Sequence, residues 1–433
     1  MKGLYLTPRK LIIFILNLLL VTDLVPAEPK YGPLNTESTM KDKRILISGA
    51  GIAGFTLAYW LKQRGYSPTI IEKHPYLRKG GYKVDVRGTA LEVAQRMGVY
   101  QNLLDANVNL KKSKLVTSQL KTFEFDGDML GYCSEGDIEV NRWDLVQILA
   151  KAAGEIEIIY DDSITKIDEV VFFERGEPRA FDLVIGADGV YSNVRRLAFG
   201  EDEKFLRTYG IHFCIFPISN IFALDRSEIV YFNKGKLIAA YAVNDSSYAA
   251  LAFKSNEETS SFQDSKLVFE REFKDLGWEV PTLLSAMNSS DVCYFNTIAQ
   301  VRMPCWSKGR VALIGDAAHA TSGMGTSLAM IGAYVLAREL EASKGDYTTA
   351  FGKYEQSMRS FVKRAQDLSE SNQQLLAEGD SSIKMTIKLF LMKIIPKKFV
   401  QLMTKKGRAE MREAANGLTL EPITKSQKLE NLP

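Results

Sequence analysis

Short apolar runs alternate with stretches of helical periodicity along most of this chain, the pattern of strands feeding helices. Residues 45–48 form a run suited to a buried strand, and Gly49, Gly51 and Gly54 follow it at once. An apolar-periodic helix comes next, Gly65 closes it, and residues 67–71 make a second strand with Glu72 at its end. The spacing predicts a helix over residues 89–106, carrying Leu91, Val93, Ala94, Met97, Leu103 and Leu104. Another is predicted over 141–153, with Leu145, Ile148 and Leu149 on one face. Residues 156–160 and 169–173 read as strands, and 183–185 as a buried strand ending in Gly186-Ala187-Asp188-Gly189. Such alternation predicts an α/β fold with a mostly parallel sheet covered by helices.

The character changes between residue 204 and about residue 300, where the runs 211–218, 229–232, 237–242 and 248–253 are β-rich and aromatic. This sheet suits a floor or lid for an apolar ligand, and ordinary core packing explains the same aromatics. His212 lies in it, as a satisfied structural histidine, a catalytic base or a substrate contact. The α/β pattern then returns: residues 311–314 form an apolar strand ended by Gly315-Asp316-Ala317-Ala318-His319. Gly323-Met324-Gly325-Thr326-Ser327 opens a helix running to about residue 342, and residues 346 to about 378 read as a long helix. Farther on, Ile383, Ile387, Phe390, Leu391 and Ile394 make an apolar stripe flanked by Lys384, Lys388, Lys393, Lys397 and Lys398. That stripe either docks as a cover on the β-rich domain or lies on an anionic membrane surface.

The first segment carries the chemistry of a dinucleotide site. Gly49 permits a tight turn, Gly51 lets the backbone approach a pyrophosphate, and Gly54 allows close helix–strand packing. The helix start offers free N–H groups and a positive dipole end to the phosphates. Glu72 can accept both hydrogen bonds of a ribose diol, which favours FAD or NAD over NADP at this position. Gly323 and Gly325 make a second helix start where N–H groups can meet a partial negative charge, such as that on a reduced flavin.

Composition permits this reading and removes others. The 433 residues are 46% hydrophobic and 25% charged, the balance of a globular protein of two or three domains. A net charge of +3 gives no ground for nucleic-acid binding. Cys133, Cys214, Cys293 and Cys305 have no paired spacing and there are three histidines, so structural thiols and no metal site are expected. At the N-terminus, Lys2, Arg9 and Lys10 precede an apolar run over 11–21, and Val25-Pro26-Ala27 resembles a cleavage site. Met40 in turn begins a segment typical of a Rossmann protein's start. An export signal and a mis-called start both stand, so residues 1–39 are set aside from fold reasoning. A start at Met40 implies a cytoplasmic protein, and a genuine leader an exported or membrane-associated one.

With these motifs in this order, the chain resembles the class A flavoprotein monooxygenases, the para-hydroxybenzoate hydroxylase family, and within it the tetracycline-inactivating branch. The resemblance runs from about Lys43 to Glu378. Gly49-Ala50-Gly51-Ile52-Ala53-Gly54, with Glu72 and the adjoining Lys73, matches the ADP-binding motif. Asp188-Gly189 matches the D-G motif, and Gly315-Asp316 the G-D motif whose acid holds the ribityl and pyrophosphate region. Residues 80–88 resemble a flavin-side loop in which Asp85 contacts FAD, and residues 138–145 a helix start in which Arg142 does. One departure stands out: the link from His319 to Gly323 is a few residues shorter than the family's and lacks its proline. FAD binding through backbone N–H groups of Gly323, Met324, Gly325 and Thr326 is expected to survive, and substrate placement over the ring is what the departure puts in question.

The resemblance implies a Rossmann-type FAD-binding domain, an inserted β-rich substrate domain and C-terminal helices. The implied limits are 41–203 and 301–343 for the FAD-binding parts, with substrate-domain strands near 113–133, then 204–300 for the substrate domain and 344–433 for the helical region. It implies FAD reduced by NADPH or NADH, and oxygen transfer from O₂ to an aromatic or polyketide-like small molecule through a flavin C4a-hydroperoxide. No obligatory acid or base is implied. His319, after the G-D motif, is a candidate for polar contact near the flavin or substrate, and a monomer is expected. The alternatives are a flavin-dependent oxidoreductase without oxygen transfer and a non-catalytic FAD-binding protein.

Overall fold

A computed structural model of the chain describes residues 43–78, 82–126, 136–233, 235–243, 246–255, 262–377 and 409–421. The leader-like segment, Gly80-Gly81 and the basic apolar stripe lie outside the described residues. Strand β1 (Arg44–Ser48), helix α1 (Ile52–Gln63) and strand β2 (Ser67–Glu72) form the expected strand–helix–strand unit, with β1 and β2 parallel. Next come β3 (Lys83–Val86), α2 (Thr89–Arg96) and α3 (Tyr100–Asp105). The helix predicted over 89–106 is therefore two helices. Gly98, at φ +73, ends the first turnwise, and the amides of Gly98 and Val99 close back onto Gln95 and Ala94.

Strands β4 (Lys112–Val116), β5 (Thr122–Asp126) and β6 (Ile138–Asn141) lead into α4 (Arg142–Ala153) and β7 (Glu157–Tyr160). A small hairpin of β8 (Ile164–Ile167) and β9 (Val171–Phe173) precedes β10 (Leu183–Gly186) and α5 (Asn193–Phe199). Four long strands follow: β11 (Leu206–Ile218), β12 (Ser227–Asn233), β13 (Lys236–Val243) and β14 (Ser246–Lys254). Helices α6 (Phe262–Phe273) and α7 (Val280–Ser289), which the periodicity did not disclose, separate them from β15 (Tyr294–Val301). The chain then forms β16 (Ser307–Lys308), β17 (Val311–Leu313), α8 (Asp316–His319), α9 (Gly325–Ala342) and the long α10 (Tyr347–Ala377).

Two sheets organise the described residues of the unit Met40–Pro433. The first has the order β16-β17-β10-β1-β2-β7 and is parallel except at the β16 edge. Its inner strands are buried on both faces, with Ile45, Leu46, Ile47, Val184 and Ile185 fully enclosed, which is why they read as continuous apolar runs. The second has the order β15-β11-β14-β13-β12-β4-β5 and draws on both 112–126 and 206–301. Alternation along its strands sorts residues to two faces. Cys214, Phe216, Ile238, Leu251 and Phe253 pack back against Phe269, Phe273, Leu283 and Met287 of α6 and α7. Phe213, Ile215, Ala239, Ala250 and Ala252 face the other way.

Candidate active site

The strand-to-helix turn after β1 shows why each glycine stands where it does. Gly49 adopts φ +109 and donates its N–H to Ile71 O at 2.7 Å, while a Cβ there would meet Ala187 O at 2.6 Å. A Cβ on Gly54, inside α1, would fall 2.0 Å from Gly49 O, so helix and strand pack too closely for any side chain. A Cβ on Gly51 meets nothing nearer than the Arg142 guanidinium at 4.0 Å. Gly51 therefore faces open space with room for a phosphate. The crevice beyond it holds about 270 Å³ and reaches Ala50, Glu72, Lys73, Arg142 and Asp188. Glu72 is fixed on its wall, accepting from the Ala50 amide at 3.0 Å and the His74 amide at 3.0 Å. Ile52 and Ala53 begin the helix whose free N–H groups point into it.

Asp188 at the end of β10 is committed to the protein. Its carboxylate accepts from Ser192 Oγ at 2.5 Å, the Val194 amide at 3.1 Å and Ser48 Oγ at 3.3 Å, tying α5 to β1. Burial pushes its carboxyl above the usual range against those hydrogen bonds. Beside it is a residue that the sequence reading passed over. Arg195 is fully buried, donates to Ala317 O at 3.0 Å and Val190 O at 2.6 Å, and pairs with Asp202. It staples the Asp188 loop to the Asp316 segment. Its only sequence signal is its place in the helix after Asp188.

The Gly315-Asp316 segment comes up beside the same crevice. Gly315 has φ +58, and a Cβ on it would lie 3.0 Å from the Ala53 methyl. Asp316 Oδ1 stands 3.2 Å from the Cβ position of Gly325, at the start of α9. Gly323, at φ +82, and Met324 make the turn into that helix, and Thr326 is half-buried in its first turn. Burial lifts the Asp316 carboxyl from 3.8 to about 6, with Arg142 pulling the other way. Arg142 opens α4, donates its amide to Tyr82 O at 2.9 Å, and links the crevice at Gly51 to Asp316. Asp85 instead pairs with the buried Arg87, whose amide donates to Ser327 Oγ at 3.0 Å. That bond fastens the turn after β3 to the start of α9.

Beyond Asp316 lies an aromatic trio absent from the sequence reading. Tyr82 approaches Phe213 edge-on at 6.1 Å and Tyr294 at 5.3 Å, and Phe213 lies 5.9 Å from Tyr294. Tyr294, burial and Asp316 together push the Tyr82 phenol well above its usual range. The two candidate histidines are elsewhere. His212 has both ring nitrogens engaged, Nδ1 with Thr297 Oγ1 at 2.9 Å and Nε2 with Ser255 O at 3.2 Å, and stacks on Phe253 at the helix-backed face. Its place is that of a structural histidine. His319 corrects the expectation of a contact near the flavin. Its ring packs against Trp306 at 4.9 Å, with Nε2 3.4 Å from Tyr354 Oη on α10, and burial lowers its pKa to about 3.

These residues fit FAD: an open glycine turn for the pyrophosphate, an acid at the β2 end for the ribose, and a line through Arg142 and Asp316 to a second helix start. Comparison with known proteins agrees. A family profile described as an FAD binding domain matches residues 42–369. An uncharacterized protein of Mycobacterium tuberculosis is 39% identical over 347 residues, covering 76% of this chain and 93% of that protein. A flavin-dependent monooxygenase of Legionella longbeachae is 36% identical over 336 residues, covering 74% of this chain and 86% of the relative. The crystal structure of the tetracycline destructase Tet(55) matches with a TM-score of 0.76 at 31% identity, covering 89% of this chain and 100% of that one.

Proposed function

The chain belongs to the FAD binding domain family and is an FAD-dependent monooxygenase of class A, and from that premise we propose that it oxygenates a planar aromatic or polyketide-like molecule seated on the front face of the seven-stranded sheet. The observation that carries this reading is the floor of that face. Ala239 and Ala250 are register partners, and Ala252 pairs with Phe213 on the neighbouring strand. Alanines project little, so a flat ring can lie against the backbone here, while Phe213, Ile215 and Leu237 rise around it. These residues, Ala239 apart, remain half-buried although apolar, as expected of surface kept for a ligand. The Tyr82–Phe213–Tyr294 trio stands between that floor and Asp316, where it positions a ring by stacking and keeps water away from the reacting face.

Bound FAD supplies the redox chemistry, drawing electrons from NADPH or NADH and activating O₂. The protein's part is binding and orientation. The Gly51 turn and the start of α1 receive the pyrophosphate, Glu72 the ribose, and Asp316 with Arg142 the ribityl chain. The first turn of α9 presents N–H groups to developing negative charge. Tetracycline destructases are named among the similar structures, so tetracycline is the first compound to test, beside smaller planar phenols. The assay follows NADPH oxidation, peroxide release and product mass together. A product carrying one added oxygen, with peroxide falling as it accumulates, is the expected result. Peroxide alone across the whole planar panel, with an oxygenated product from a non-planar compound instead, would remove this substrate class.

A further inference from the structure

Residues 409–421 lie against the FAD-binding half of the molecule rather than the substrate sheet. Residues 409–415 are helical, and Met411, Ala414, Ala415 and Leu420 are at most 5% exposed. This segment passes over Gly88 so tightly that a Cβ there would fall 2.4 Å from Ala415 O. Thr89 Oγ1 donates to Leu418 O at 2.6 Å, and Arg96 donates to Glu421 O at 2.7 Å. A Cβ on Gly417 would meet the Phe361 ring at 3.0 Å, so the same segment is wedged against α10. The Met411 methyl lies 3.9 Å from the Cβ position of Gly323.

The segment packs on the Gly88 turn and comes close to the Gly323 turn, the two turns that the FAD reading puts beside the cofactor. Gly323, at φ +82, sets the approach to α9, and glycine by itself holds no fixed conformation there. The Arg87-Gly88 turn is bonded to Ser327 in the first turn of the same helix. Simple end-packing would be satisfied by the apolar contacts with α10. It does not require seating on both glycine turns.

We propose that residues 409–421 are a cofactor strap. Seated, the strap fixes the Gly323 and Gly88 turns in the geometry that binds FAD; lifted, it frees the start of α9 and lets FAD leave. Met411 and Thr89 are thereby positioning residues, acting on the cofactor through backbone they hold. The proposal rests on FAD binding and is independent of the substrate reading.

The test uses the full chain, whose uptake of FAD is first checked by quenching of flavin fluorescence. Hydrogen exchange of residues 409–421 is compared with and without FAD, and slower exchange in the FAD-bound protein is expected. FAD release is then timed in Met411→Ala and Thr89→Val. Release about tenfold faster is expected, equivalent to about 1.4 kcal/mol lost from the bound state, together with a smaller FAD-induced rise in melting temperature. Exchange that is the same with and without FAD overturns the strap. So does unchanged FAD release in both variants, with equal falls in melting temperature for the free and FAD-bound proteins.

Discussion

Gly51 and Gly54 belong to one turn, yet an added methyl group should harm them in different ways. At Gly54 the methyl carbon would sit 2.0 Å from Gly49 O, so α1 must back away from β1 even without a ligand. Gly54→Ala is expected to lower the stability of the FAD-free protein by about 1–3 kcal/mol, the range for overpacking, as read by urea unfolding. At Gly51 the nearest atom is 4.0 Å away. Gly51→Ala should leave unfolding of the FAD-free protein unchanged and weaken FAD by about tenfold or more, because the methyl occupies space meant for phosphate. Equal FAD affinity in Gly51→Ala and the unaltered chain would show that the pyrophosphate lies elsewhere.

Asp316 makes a second residue-scale prediction, in pH. Its carboxyl has a value of about 6 in the folded protein, raised from 3.8 by burial. The neutral form therefore favours the FAD-free fold; that contribution is full below the unfolded value and lost as pH rises through about 6. FAD offers hydroxyl donors, which the ionised carboxylate accepts more strongly than the neutral acid does. FAD affinity should accordingly rise between about pH 5 and pH 7 and level off above. Titration of FAD binding checks this, and Asp316→Asn should flatten the slope while weakening affinity throughout. A slope that persists in Asp316→Asn would assign the titration to another group.

At the scale of elements, Arg195 decides how two segments distant in sequence share one crevice. Its guanidinium spans Val190 O, Ala317 O and Asp202, wholly out of water. Arg195→Met keeps the bulk and strands two carbonyls, while Asp202 keeps its pair with Arg196, so a loss of about 1–3 kcal/mol is expected, measured by chemical unfolding, with FAD affinity falling too. A stability change under about 1 kcal/mol would mean that the loops hold themselves in place. The β1–α1–β2 unit was legible because strand, glycines, helix and acid lie within one short stretch, each with a local rule. Arg195 was not, because its partners lie in other segments and no spacing rule links them. The long apolar pattern over 89–106 hid a break at Gly98, where left-handed backbone overrides helical periodicity. Helices α6 and α7 were missed for a related reason. Phe269 and Phe273 stack one helical turn apart, but aromatics embedded in a β-rich stretch read as strand residues.

Across the whole molecule, side chains from three separate places converge: Tyr82 before β3, with Phe213 in β11 and Tyr294 at the start of β15 on the seven-stranded sheet. No periodicity could foretell that convergence, although the motifs did point to FAD as the cofactor. On the proposed substrate reading the trio joins cofactor binding to substrate binding, so its loss should separate them. Tyr294→Ala removes a ring that touches Tyr82 and Phe213 but leaves Gly51, Glu72, Arg142 and Asp316 in place. FAD affinity and NADPH oxidation should persist, while the share of reducing equivalents lost as peroxide rises several-fold, because water now reaches the face that the trio covered. Peroxide released per NADPH consumed, measured with a substrate that the unaltered enzyme oxygenates, is the deciding ratio. If that ratio stays fixed in Tyr294→Ala while substrate affinity falls, the trio only grips the substrate, and exclusion of water must come from the alanine-floored sheet itself.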